Sequence, residues 1–188
     1  MNICKIVVLF FSVIIMLSLT GCHDKAALPQ MEPETVSGTG EDMQDYSKLF
    51  ELKLYSDKIT YSTSDKINIW ATLKYMGEND HIKIWHGEPY INFYISDGKD
   101  FNIGGIVNDI LKSTELEREK LYKFDYSKNG GFSADDPRAD FWEKFYSETY
   151  LYLPEGEYTV KVGAAFSLEE DAKNISVIPP EELKIVVK

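Results

Sequence analysis

The most constraining feature of this chain is an alternation with a period of two. Tyr158, Val160, Val162, Ala164 and Phe166 take every second place, and Thr159, Lys161, Gly163 and Ala165 fall between them. Successive side chains of an extended strand point to opposite faces, so this spacing buries one face and leaves the other to solvent. No helix reproduces it. The same period runs through Phe50, Leu52 and Leu54; through Ile67, Ile69, Ala71, Leu73 and Tyr75; and through Ile91, Phe93 and Ile95. Shorter runs occur at Ile82 and Ile84, at Tyr122, Phe124 and Tyr126, and at Leu183, Ile185 and Val187. Turn formers separate them: Ser64-Asp65, Gly77 to Asp80, Gly87-Glu88-Pro89, Asp97-Gly98, Asn129-Gly130-Gly131 and Pro154-Glu155-Gly156. Tyr150 to Leu153 reads as a further short strand and Pro179-Pro180 as a loop, while Phe101 to Leu111 carries no clear period.

One segment departs from the rule. Asp136-Pro137 has the form of a helix start, with Asp as N-cap and Pro at the first helical place. Trp142, Phe145, Tyr146 and Thr149 follow three and four apart, which predicts a short helix over 136–146. Seven to eight short strands, one inserted helix, no βαβ rhythm and no internal repeat predict an all-β chain: an antiparallel β-sandwich over residues 48–188. Its predicted core includes Ile69, Leu73, Phe93, Val160, Val162 and Ile185.

The first residues do not belong to that pattern. Lys5 is followed by an apolar run, Ile6 to Leu19, broken only by Ser12 and Ser18. A stable membrane span needs roughly 20 residues, and this run is shorter; it has the length of a signal-peptide core. It ends in Leu19-Thr20-Gly21-Cys22, which resembles the lipobox of bacterial lipoproteins. The resemblance implies a signal peptide over 1–21, cleavage before Cys22 and a lipid thioether on its sulfur. The chain would then sit on the extracytoplasmic side of a bacterial cell membrane. A cleaved chain keeps 19 Lys and Arg against 31 Asp and Glu, a net charge of −12. Basic residues therefore cannot supply the second membrane signal, and the acyl chains on Cys22 must hold the protein. Residues 22–47 carry Asp24, Glu32, Glu34, Glu41, Asp42 and Asp45 against one Lys25, with Pro29, Pro33 and Ser37-Gly38-Thr39-Gly40. They read as a flexible, self-repelling tether that reaches about 25–30 Å as a coil.

The fold too has a family likeness. Leu153-Pro154-Glu155-Gly156-Glu157-Tyr158 resembles the turn before the penultimate strand of bacterial immunoglobulin-like domains. That resemblance implies an immunoglobulin-like sandwich and a corner closed by a hydrogen bond from Tyr158 back to the chain. Leu52 through Tyr75 is similar to the bacterial intracellular proteinase inhibitor family, another sandwich of this kind.

Chemistry-bearing patterns are few. The net charge of −11 over the whole chain opposes binding to nucleic acid. Cys4 and Cys22 are the two cysteines, so no disulfide framework forms. Neither a Gly-x-Ser-x-Gly motif nor a phosphate loop occurs, and we expect no enzyme and no cofactor. His81 and His86 lie five apart on a short strand, point to opposite faces and read as loop or surface histidines. Asp135, Asp136 and Asp140 crowd one segment. They suit either the acidic first turn of a helix or, less well, a calcium loop, so no metal is expected. Trp70 and Trp85 fall on the polar faces of their strands. Either the helix covers at least one of them, or both form a binding face for a sugar ring or a partner. The expected function is a membrane-anchored, non-catalytic binding module whose partner is a protein or a cell-wall glycan. The alternative is an inhibitor or accessory subunit of an envelope protease.

Overall fold

The computed structural model describes residues 48–173 and 175–188. The expected signal peptide over 1–21, Cys22 and the expected tether to residue 47 lie outside these described residues. The described chain is all-β with one short helix. Its strands are β1 (Phe50–Ser56), β2 (Thr60–Tyr61), β3 (Ile69–Tyr75), β4 (His81–Glu88), β5 (Ile91–Ser96), β6 (Asn102–Gly104), β7 (Asn108–Glu117) and β8 (Leu121–Asp125). Helix α1 (Ala139–Ser147) follows, and then β9 (Gly156–Phe166) and β10 (Ser176–Val187).

Two sheets face each other. One has the order β1-β3-β8 and the other β2-β10-β9-β5-β6. All pairs are antiparallel except β2 with β10, which run parallel through Val186 opposite Thr60 and Val187 opposite Tyr61. First, third and eighth strands on one sheet, with the last strands central on the other, make an immunoglobulin-like sandwich. A separate two-stranded ribbon pairs β4 with β7. It is joined to the end of β9 by reciprocal backbone bonds between Trp85 and Ser167, 2.8 and 2.7 Å.

The alternation decides what each sheet buries. Phe50, Leu52, Ile69, Ala71 and Leu73 come from the first sheet; Ile91, Phe93, Ile95, Val160, Val162, Ala164, Phe166, Ile185 and Val187 come from the second. All six predicted core residues are buried. The Tyr158 hydroxyl donates to the Pro154 carbonyl at 3.0 Å, closing the corner that the resemblance implied.

The passage from one sheet to the other, between β1 and β2, is pinned by a polar cluster. Tyr61, 2% exposed, donates its hydroxyl to Asp57 Oδ1 at 2.5 Å. The Tyr61 hydroxyl oxygen in turn accepts from Ser56 Oγ at 2.6 Å and from the Lys58 N–H at 3.1 Å. Asn68 Nδ2 donates to the other Asp57 oxygen at 2.9 Å. Partial burial pushes the Asp57 carboxyl up, but the bonds from Tyr61 and Asn68 outweigh it and hold the group below the usual carboxylate range.

Several sequence expectations are corrected. Among the described residues there are ten strands rather than seven or eight: β2 is two residues long, and the segment without a period contains β6 and the start of β7. Tyr150 to Leu153 is not a strand; Leu151 makes a single bridge to Ile67, with Ile67 N–H donating to the Leu151 carbonyl at 3.0 Å. Pro179-Pro180 lies inside β10, at a register shift between Ile178 and Glu181. A bulge tolerates residues without N–H groups, and β2 pairs only with the far end of β10, so no ladder bond is asked of them there. The helix starts at Ala139, later than Asp136-Pro137 suggests, with Arg138 in the N-cap place. Asp136 instead holds a turn of its own, its Oδ1 accepting from Arg138 N–H at 2.7 Å and its carbonyl from Ala139 N–H at 2.9 Å.

Candidate functional site

Asn92 is the polar residue that the fold treats most unusually. It alternates with Ile91 and Phe93 on β5 and so points away from the sandwich core, toward what would ordinarily be solvent. Yet it is 7% exposed. Two neighbouring segments close over it. The Ile106 N–H donates to the Asn129 carbonyl at 3.0 Å, and Asn129 Nδ2 donates back to the Ile106 carbonyl at 3.2 Å. This pair lays the segment after β8 against the segment after β6. Gly105 permits the close approach: a Cβ there would stand 3.0 Å from Asn129 Oδ1 and 3.3 Å from Asn92 Oδ1. Asn92 Oδ1 ends up buried with no hydrogen-bond partner among the described residues.

Beside Asn92 opens a cleft of about 290 Å³ between β5 and the chain from Phe124 to Asn129. Pro89, Ile91, Phe93 and Phe124 supply its apolar wall, and Asn92, Asp125, Ser127 and Asn129 its polar one. Aromatic packing holds the wall: Phe93 meets Tyr126 edge-on at 5.7 Å, and Phe124 meets Tyr90 at 5.4 Å. Burial pushes the Tyr90 hydroxyl up to about 12 and the Tyr126 hydroxyl further above its ordinary value, so both stay neutral beside the cleft. Lys123 Nζ lies 2.7 Å from Asp125 Oδ1 on the exposed side. Lys128 is engaged elsewhere. Its ammonium donates to the Phe145 carbonyl and, at 2.9 Å, to the Glu148 carbonyl, where it also suits the negative end of the α1 dipole. Burial there lowers its pKa.

The residues singled out from the sequence are dispersed. Trp70 on β3 stacks on Tyr55 at 5.6 Å with Lys123 Nζ 5.2 Å from its ring; Trp85 on β4 has Lys83 Nζ at 5.3 Å. Both are half-exposed and sit on different sheets. The expectation that α1 covers one of them is corrected: no ring contact among the described residues joins α1 to either. Trp142 and Phe145 pack instead on Phe101, at 5.5 and 5.7 Å, and Phe101 on Tyr158 at 5.5 Å. The tyrosine corner and the turn after β5 already form an aromatic seat there, so a nine-residue helix, marginal alone, finds its support away from the tryptophans.

His86 is also not a surface histidine. It is 7% exposed, with Nδ1 2.6 Å from the Gly87 carbonyl and Nε2 2.8 Å from Thr114 Oγ1, and its ring lies 4.2 Å from that of Tyr90. A carbonyl only accepts, so Nδ1 carries a proton. His81 is exposed and lies 3.7 Å from Glu115. Asp136 is used in its turn and Asp140 lies in the first turn of α1; among the described residues no three His, Cys, Asp or Glu gather around a metal position. Sequence reasoning passed over Asn92 because a polar residue on the outward phase of a strand is the ordinary case. The Gly104-Gly105 and Asn129-Gly130 pairs were the only signal that other backbone comes close.

No family model matches the chain, and no curated protein matches it. Among solved structures it is similar to a β-glucosidase from Erythrobacter marinus, at 12% identity and a TM-score of 0.36, covering 74% of this chain and 15% of that one. It is also similar to the sporulation control protein Spo0M from Bacillus subtilis, at 11% identity and a TM-score of 0.37, covering 74% of this chain and 49% of that one. The chain thus spans less than half the length of either.

Proposed function

We propose that this protein is a lipid-anchored extracytoplasmic binding module of a bacterial cell envelope. A signal peptide would deliver it, lipid on Cys22 would hold it to the membrane, and an acidic tether would present the immunoglobulin-like sandwich to a protein or cell-wall partner. The observation that carries the reading is the order of parts at the N-terminus: a charged start, an apolar run too short to span, Leu19-Thr20-Gly21-Cys22, and then a spacer without hydrophobic period. The cleft beside Asn92, with its apolar wall of Phe93 and Phe124 and its polar wall of Asp125, Ser127 and Asn129, supports the binding role. Expression of Cys22→Ala in a bacterial host beside the native chain, with an alkyne fatty acid as label, tests it. The native chain takes up label and partitions with membranes; the variant takes up none and accumulates as precursor. Equal cleavage and membrane retention of the variant would refute the anchor.

A further inference from the structure

The geometry points to the β4–β7 ribbon as a shallow contact between the domain and a bilayer surface, made by Ile110, Leu111 and Trp85. This deepens the reading of a lipid-anchored module and rests on it. Among the described residues, exposed large apolar side chains crowd one stretch of chain: Ile106, Val107, Ile110 and Leu111 are 59, 42, 63 and 54% exposed. Contiguous exposed apolar surface marks an interaction site. The register of the ribbon explains the exposure. His86 stands opposite Lys112 and Glu88 opposite Asn108, so Asp109, Ile110 and Leu111 face Gly87 alone. Such a bulge bends its strand away from the partner. Ile110 keeps the phase of Lys112 and of buried His86, yet it stands clear of the domain. Leu111 keeps the phase of Ser113, which is opposite Trp85, and so becomes the diagonal neighbour of that half-exposed ring. Lys83 Nζ lies 5.3 Å from the same ring.

The ribbon lies at the end of the sandwich where the described chain begins. The Met76 N–H donates to the Leu49 carbonyl at 2.7 Å, and Phe50 meets Phe166 edge-on at 4.9 Å. The next residue, Ser167, is the one that bonds Trp85. Cys22 lies 26 residues before Lys48. A lipid on Cys22 therefore holds this end within coil reach of the headgroups, about 25–30 Å. Tethering replaces encounter from solution by a high local concentration, so a contact too weak to bind alone is populated. The chemistry of the patch selects lipid over an added protein strand. The bulge interrupts β7, so its edge offers no straight ladder to a partner strand. Aliphatic side chains beside a Trp and a Lys suit the headgroup boundary, where the backbone stays hydrated and the ammonium reaches water. The excess of 31 acidic over 20 basic residues repels anionic lipid. At physiological salt that repulsion fades beyond about 8 Å, which leaves an aliphatic contact and disfavours a charged one.

The test reads Trp85 itself. The full chain, made in a bacterial host, is reconstituted into phosphatidylcholine vesicles. Their acyl chains are either ordinary or brominated near the glycerol end, and bromine quenches the tryptophans it touches. Trp70→Phe and Trp85→Phe variants assign the emission, with buried Trp142 as background. Brominated lipid is expected to remove most of the Trp85 emission and to leave that of Trp70, on the outer face of the first sheet. Ile110→Asp together with Leu111→Asp is expected to restore Trp85 while the chain stays on the vesicles. Ile59→Asp, at an exposed apolar residue beyond the other end of β1, is expected to change nothing. All three positions are exposed, so the fold does not depend on them. Equal quenching of Trp70 and Trp85, no quenching of either, or quenching that survives the paired change at Ile110 and Leu111 would overturn the proposal. A ribbon that docks a protein leaves Trp85 unquenched by lipid and overturns it too. The anchor is judged separately, by the mass of the Cys22 peptide. If Cys22 carries no lipid, the same quenching is read on the chain held through an N-terminal histidine tag to nickel-chelating lipid, so a failed anchor and a failed ribbon give different results.

Discussion

Tyr61→Phe isolates one oxygen at the point where the chain changes sheets. The ring stays, so the buried apolar area is unchanged and no cavity forms. What goes is a hydroxyl that donates to Asp57 and accepts from Ser56 and from the Lys58 N–H. A hydrogen bond to a charged group is worth about 1.5–3 kcal/mol, and because Asp57 is exposed the lower end applies, about 1.5 kcal/mol. For a domain of this size that lowers Tm by roughly 4–6 °C. The pH dependence carries the sharper test. The folded Asp57 carboxyl lies below its unfolded value, so its contribution is present above the unfolded pKa and is lost as pH falls through the folded one. Tyr61→Phe removes one of the bonds that lowers it, so native and variant differ most near neutrality and converge in acid. Urea unfolding of both chains at about pH 7 and about pH 3 measures this. A difference below about 0.5 kcal/mol at neutrality, the ordinary range of surface substitutions, would refute the cluster's role. So would a difference that does not shrink in acid.

Val162→Asp places a carboxylate at a position with no exposed surface, between the sheets. It is expected to cost several kcal/mol, most of a domain's usual 5–15, and wild-type denaturant unfolding would show that the strand face is misassigned. At the alkaline end the sign reverses: Tyr90, raised by burial to about 12, keeps its proton in the fold after the unfolded chain has lost it. Stability is therefore full below about pH 10 and falls toward pH 12 by about 2–3 kcal/mol from this group, and Tyr90→Phe flattens that limb in urea titrations. Acrylamide is expected to quench Trp70 and Trp85 and to spare Trp142, which is 6% exposed. Single Trp→Phe variants assign the signals, and a strongly quenched Trp142 would count against the seat on Phe101.

Burial on one side is what made this fold readable. β9, β3 and β5 carry the period-two pattern because each has one face in the core, and their buried faces are those the alternation predicts. β7 has no such asymmetry. All but two of its residues are exposed, so Asn108–Glu117 left no period to read although its pairing with β4 is extensive. β2 is too short for any period, and its existence follows from Tyr61 finding a place beside β10. The two tryptophans were placed on the correct phase, but which surface an inserted helix chooses depends on a distant aromatic seat, built here by Phe101 and Tyr158. Asn92 shows the same limit for the candidate site: its isolation is made by chain more than ten residues away in sequence, and no local pattern records it.

The parallel pair of β2 with β10 also sets an order of assembly. β1 and β3 are neighbours in sequence and can pair early. β5 must wait for β9, with Phe93 opposite Val162, and β2 for the last residues of β10, with Tyr61 opposite Val187. Contacts across such separations make folding slow, on the scale of milliseconds to seconds. A polypeptide delivered N-terminus first therefore shows Ile91, Phe93 and Ile95 as an uncovered apolar ribbon until β9 arrives. Tyr61 has no sheet to join until Val187 has emerged, so the β2–β10 pair is expected to close last, and an arrested nascent chain to be the form most open to aggregation and proteolysis.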